Sequence, residues 1–82
     1  MDDRELVERI TVDPRVLAGK PVIKGTRLAV EYILKRLAHG SSVADILAEY
    51  EGIHADDVLA CLLFASRALE DTTYMPLVTE TA

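Results

Sequence analysis

The chain contains one cysteine, no tryptophan, one phenylalanine and only two histidines. A single thiol, Cys61, excludes an internal disulfide framework, and its simplest setting is a reducing compartment, the cytoplasm. His39, His54 and Cys61 are the only imidazole or soft ligands, and no two share the i, i+4 spacing that places a pair on one helical face. Neither a metal site nor a cofactor is therefore expected. No apolar run approaches the ~18 residues that a membrane span requires. The amino-terminal "MDDRELVER" is acidic where a secretory signal is basic and then apolar, which points away from export. No internal repeat and no linker splits the sequence, so one domain is expected over residues 1–71, followed by an arm at 72–82.

What is present is an aliphatic globular composition, with half the residues hydrophobic and 28% charged. At 82 residues a single core is only marginally sufficient, and help from a partner is plausible. The net charge of -5 argues against a generic nucleic-acid binder, but the charge is unevenly spread. Residues 15–36 carry six basic groups and one acidic, whereas residues 37–82 carry one basic and eight acidic.

"RITV" at 9–12 and "PVI" at 21–23 are β-branched and apolar, and predict two short strands in a hairpin-like unit. Between them Asp13 as N-cap, Pro14 at the first helical position and Gly19 as a left-handed terminator predict one helical turn. Lys24, Gly25 and Thr26 form a second turn, with Gly25 at positive φ. The first nine residues predict little more than a frayed or briefly helical lead-in. Val30, Ile33, Leu34, Leu37 and Ala38 then recur at helical spacing up to Gly40. In "SSVADILAEYEG", Ser42 caps a second helix, Asp45 stands in the capping-box position, and Val43, Ile46, Leu47 and Tyr50 share a face. A third helix over roughly 56–70 opens on Asp56 and Asp57. Its core stripe is Val58, Cys61, Leu62, Ala65 and Leu69, with Leu59, Leu63 and Phe64 off the stripe. The predicted fold is small, mainly α (α+β): N-terminal β-hairpin-like strands followed by a three-helix homeodomain-like or winged helix-turn-helix core.

The stretch "GKPVIKGTRLAV" at 19–30 has the glycines and lysines of a phosphate loop. A phosphate loop needs Lys directly after its second Gly, then Ser or Thr opening a helix, whereas Lys24 precedes Gly25. A nucleophilic Cys61 would have to be exposed beside a histidine, which its place on the apolar stripe contradicts. Capping explains Asp45, Asp56 and Asp57, while Glu49 and Glu51 fall on solvent faces. With no catalytic constellation, an enzyme is not expected, and binding remains. The second and third helices, joined by "EGIHA", have a helix-turn-helix outline, yet Asp56 and Asp57 at the groove-facing end would repel phosphates. Better nucleic-acid candidates are Lys20, Lys24, Arg27, Lys35 and Arg36. The plainer alternative is a solvated face with Glu31 and Lys35 paired at i, i+4.

"ITVDPRVLAGKPVIKGTRLAV", a helix ending in "HG", and "SVADILAEYEGIHADDVLACLLFA" together resemble, over about residues 10–66, the family catalogued as domain of unknown function 433. The most specific part is "GKPVIKGTR" at 19–27. Ala29 departs from the proline common there, and His54 from the usual hydroxyl cap. The resemblance implies a small helix-turn-helix domain with an amino-terminal hairpin, often dimeric, and kinship with VapB-type antitoxins, whose usual neighbours are PIN-like ribonuclease toxins. The expected function is then that of an antitoxin of a type II toxin-antitoxin module, which neutralises such a ribonuclease and represses its own operon through operator DNA. The alternative is a free-standing dimeric DNA-binding transcriptional regulator. On the antitoxin expectation, Leu59, Leu63 and Phe64 form a homodimer face. Tyr74, Met75, Pro76 and Leu77 dock in the toxin, and the acidic carboxyl half attracts a basic surface.

Overall fold

Asp2 and Glu5 bind each other's backbone amides: Asp2 Oδ1 accepts from Glu5 N at 2.9 Å and Glu5 Oε1 from Asp2 N at 3.0 Å. This capping box starts helix α1 (Asp3–Val7). The structure is a computed structural model, which describes residues 1–70. α1 packs on the long helix at 55–70, with Leu6 and Val7 half-buried, so the lead-in expected to be frayed or briefly helical is a short helix of five residues with a packed side. The reason is twofold: the helix is capped locally, and a second helix covers its apolar side.

After α1 come strands β1 (Ile10–Thr11) and β2 (Val22–Ile23), then helices α2 (Val30–Ala38), α3 (Val43–Glu49) and α4 (Ala55–Glu70). The strands pair antiparallel, Ile10 opposite Ile23 and Thr11 opposite Val22, as the two β-branched stretches predict. Ala29 bridges back to Val22, so the chain doubles on itself once more before α2. Thr26 closes that turn, its hydroxyl donating to Ile23 O at 2.7 Å and accepting from Leu28 N at 3.0 Å. Gly25 sits at φ 81°, the left-handed conformation expected of it.

The helical turn expected between the strands opens as expected, Asp13 O accepting from Val16 N at 2.8 Å, and Gly19 is left-handed as expected, but the two residues before Gly19 are left-handed as well. Asp13 Oδ1 also accepts from Arg15 N at 2.9 Å, and Leu17, Ala18 and Gly19 then follow at φ 49°, 56° and 85°. This left-handed turn reverses the chain between Thr11 and Val22, whose pairing needs an antiparallel return. Glycine tolerates the conformation, whereas leucine and alanine carry a steric cost of about 1–2 kcal/mol each.

The core is Ile23, Val30, Ile33, Ile46, Ile53, Val58 and Cys61, aliphatic as the composition predicts. α3 has its capping box, with Ser42 and Asp45 exchanging hydrogen bonds of 3.0 Å. At α2, which has no side-chain cap, Pro21 O takes the Val30 amide at 2.9 Å. At α4, where His54 lacks a capping oxygen, Asp57 Oδ2 accepts from His54 N at 2.8 Å. Among the described residues the result is a mainly α, α+β arrangement of four helices and a two-stranded antiparallel sheet. Among the described residues no helix is long and apolar enough to cross a membrane.

Candidate functional site

The basic island divides into used and unused cations. Lys20 Nζ lies 2.9 Å from Glu31 Oε1, which replaces the Glu31–Lys35 pair expected from spacing and holds the Glu31 carboxyl below its ordinary range. The cross-loop partner reaches Glu31 from the strand side and leaves Lys35 exposed. Arg36 grips Glu49 through both guanidinium arms, at 2.8 and 2.7 Å, and its Nε donates to Ser41 Oγ at 3.1 Å. That fork ties α2 to α3 and lowers the Glu49 pKa. Beside it the Tyr32 and Tyr50 hydroxyls meet at 2.8 Å with their rings edge to face. Lys24 and Arg27 stand exposed on the Thr26 turn, with no salt bridge among the described residues. Of the five cations proposed for nucleic acid, Lys20 and Arg36 therefore hold the fold, and Lys24, Arg27 and Lys35 remain open.

The amino end of α4 is closed by charge. Asp57 Oδ1 accepts from Arg9 Nη1 at 2.9 Å, its side chain only 7% exposed, and Asp56 lies 3.8 Å from the same guanidinium. A groove-reading helix would present this end to DNA, and here it carries two carboxylates under a single arginine.

The buried arc of α4 differs from the expected stripe. Asp57, Val58, Ala60 and Cys61 are buried and Phe64 packs against the core, while Leu62 and Leu69, expected inside, are open. The cause is α1: by packing on α4 it draws the covered arc round toward Ala60 and Phe64, and no described element packs on the opposite side. Of the homodimer trio, Leu59 is open, Leu63 is half-buried and Phe64 is turned inward. The uncovered face is a row, Ala55, Leu59, Leu62, Ser66 and Leu69, spaced by four, three, four and three residues and exposed throughout. Its leucines are 48%, 46% and 69% open. Leu69 also borders an apolar cleft of about 370 Å³ with Pro21, Val30, Leu34, Phe64 and Ala65. Reading the "DDRE" cap at 2–5 as a helix start was the available signal for this rotation.

Cys61 is wholly buried, and that burial, with Asp57 adding, pushes its thiol up to about 12. Among the described residues no group of three or more His, Cys, Asp or Glu could hold a metal ion. Tyr74, Met75, Pro76 and Leu77 lie outside the described residues.

Residues 10–65, more than half of the chain, match the family model for proteins of unknown function DUF433, and the chain belongs to that family. An uncharacterized protein of Archaeoglobus fulgidus is 60% identical over 25 residues, which are 30% of this chain and 69% of that one. The crystal structure of a DUF433 member from Anabaena variabilis superposes with a TM-score of 0.73 at 27% identity, covering 82% of this chain. This chain spans 66% of that protein's length, just under two thirds.

Proposed function

We propose that this DUF433 protein is a cytoplasmic binding protein of antitoxin type, which neutralises a PIN-like ribonuclease by covering part of its surface. What supports this is the leucine row on α4. Three leucines at 46% exposure or more on one helix face hold apolar area that docking would remove from water, at about 25 cal/mol per Å². The acidic carboxyl half, with eight acidic groups against one basic, favours a basic partner.

The test is co-expression with PIN-like ribonucleases of the same genome. Rescue of growth, with a complex of the two chains surviving gel filtration, is the expected result. Toxicity unrelieved at excess chain contradicts the reading.

A second reading, a homodimeric DNA-binding regulator, is favoured by one observation: Lys24 and Arg27 are exposed and have no carboxylate partner among the described residues. It predicts salt-dependent binding to a palindromic promoter site, weakened by Lys24→Ala and Arg27→Ala for every sequence alike. The same contacts would serve an antitoxin that represses its own operon.

A further inference from the structure

The open row on α4 has charge along only one side. Asp56, Leu63 and Glu70 follow one another at seven-residue intervals, the spacing that keeps positions on one flank of a helix seam. Asp56, 3.8 Å from the Arg9 guanidinium, keeps 45% of its side chain exposed, and Glu70 is exposed with no salt bridge among the described residues. The opposite flank turns into the protein, with Val58 buried and Ala65 half-buried. Arg67, the basic residue in the last turn of α4, points to Asp3 of α1 at 3.6 Å, away from the row.

We propose that this face receives an amphipathic helix of a partner protein whose apolar stripe is flanked by Lys or Arg. The proposal deepens the antitoxin reading and rests on it. Alternating steps of three and four residues are the spacing by which two helices interlock side chains at about 20°. The helix has 16 residues, about 24 Å, so it offers a continuous seat of roughly four turns. Ser66 interrupts the leucines with a small side chain, which leaves a hole for a large apolar residue from the partner.

Charge selects among occupants. In a second copy of this chain packed antiparallel, Asp56 and Glu70 would face each other, and a net charge of -5 on each chain adds to the repulsion. A basic-flanked helix turns the same positions into ion pairs. Exposed pairs contribute only about 0.2–1 kcal/mol each, so leucine contacts supply affinity and the acidic flank supplies discrimination.

The test uses two synthetic helical peptides with the same leucine stripe, one flanked by Lys and one by Glu, titrated against the full chain by fluorescence anisotropy. The Lys peptide should bind at least about tenfold more tightly, with the gap narrowing as salt rises. Asp56→Lys with Glu70→Lys should reverse the preference. Leu59→Ser with Leu62→Ser should remove binding of both peptides at unchanged helical content, since both side chains are already open. Equal binding of the two peptides, or binding of neither, overturns the proposal. So does a stable dimer of the chain alone that the serine pair dissolves, because it assigns the face to a second copy. A retained peptide preference without ribonuclease neutralisation overturns the antitoxin reading alone. Neutralisation that survives the serine pair overturns this surface alone.

Discussion

Arg9 and Asp57, 48 positions apart, meet at 2.9 Å, and the contact locks the junction of α1 and β1 onto the first turn of α4. Both carboxylate oxygens are used, one by Arg9 and the other by the His54 amide. Arg9 also carries the strand ladder outward, its carbonyl accepting from Lys24 N at 2.7 Å.

Removing the arginine strands a carboxylate that is 93% enclosed (side-chain exposure 7%), a loss of about 3–5 kcal/mol when both charges are fully buried. Arg9 is 30% exposed, so water moderates the effect, and Arg9→Ala should cost about 2 kcal/mol. Asp57→Ala should cost a similar amount, because it also uncaps α4. Urea midpoints measure both, and a shift equivalent to less than about 0.5 kcal/mol for Arg9→Ala contradicts this account.

The left-handed turn makes the opposite kind of prediction. Ala18 holds φ 56°, so Ala18→Gly relieves steric strain that outweighs the extra freedom glycine brings to the unfolded chain. Stability should rise by roughly 0.5–1 kcal/mol. Gly25→Ala, at φ 81° in the Thr26 turn, should lower it by about 1 kcal/mol. Thermal melts of the two variants should move in opposite directions.

Cys61 has no solvent access, and its thiol is pushed up to about 12, so both access and thiolate fraction oppose reaction. At neutral pH a thiol-specific reagent should label the native chain only as fast as it unfolds, and label it at once in denaturant. Rapid labelling of the native protein would show that the helix core opens far more readily than its packing indicates.

Acid should loosen the molecule in a definite window. Hydrogen bonds from Lys20 lower the Glu31 pKa, Arg36 lowers that of Glu49, and the Ser42 amide lowers that of Asp45. Folded values below the ordinary 4.5 for Glu and 3.8 for Asp mean that this stabilisation is complete above those values. It is lost as pH falls through the lower folded ones. Stability should therefore hold from neutrality down to about pH 5 and decline below about 4.5, a decline that Glu49→Gln flattens. Because these carboxylates are exposed, salt should shrink the effect.

The elements set by short-range chemistry were legible in the sequence: the β-branched strands, the Ser42–Asp45 cap, the glycine turn and the aliphatic helix periods. What was not legible depended on contacts between distant residues. The hand of the Leu17–Gly19 turn follows from strand pairing, not from propensity. The buried arc of α4 depends on α1, and a lead-in expected to be frayed or only briefly helical offers nothing for α4 to pack on, so spacing alone puts Leu62 and Leu69 on the covered side, whereas both are open. For the candidate site, Leu59 was visible as surplus apolar surface, whereas Phe64 was misjudged because spacing within one helix does not reveal which neighbours cover it. Likewise the count of cations in the basic island could not separate Arg36, committed to Glu49, from Lys24 and Arg27, which are open.

The most direct measurement titrates RNA cleavage by PIN-like ribonucleases of the same genome, with the native protein and with Leu59→Ser, Leu62→Ser in parallel. The account predicts that the native chain abolishes cleavage near one equivalent and that the serine variant, equally folded, does not at several equivalents. Cleavage that continues undiminished at excess native chain, or inhibition identical for the two proteins, would contradict it.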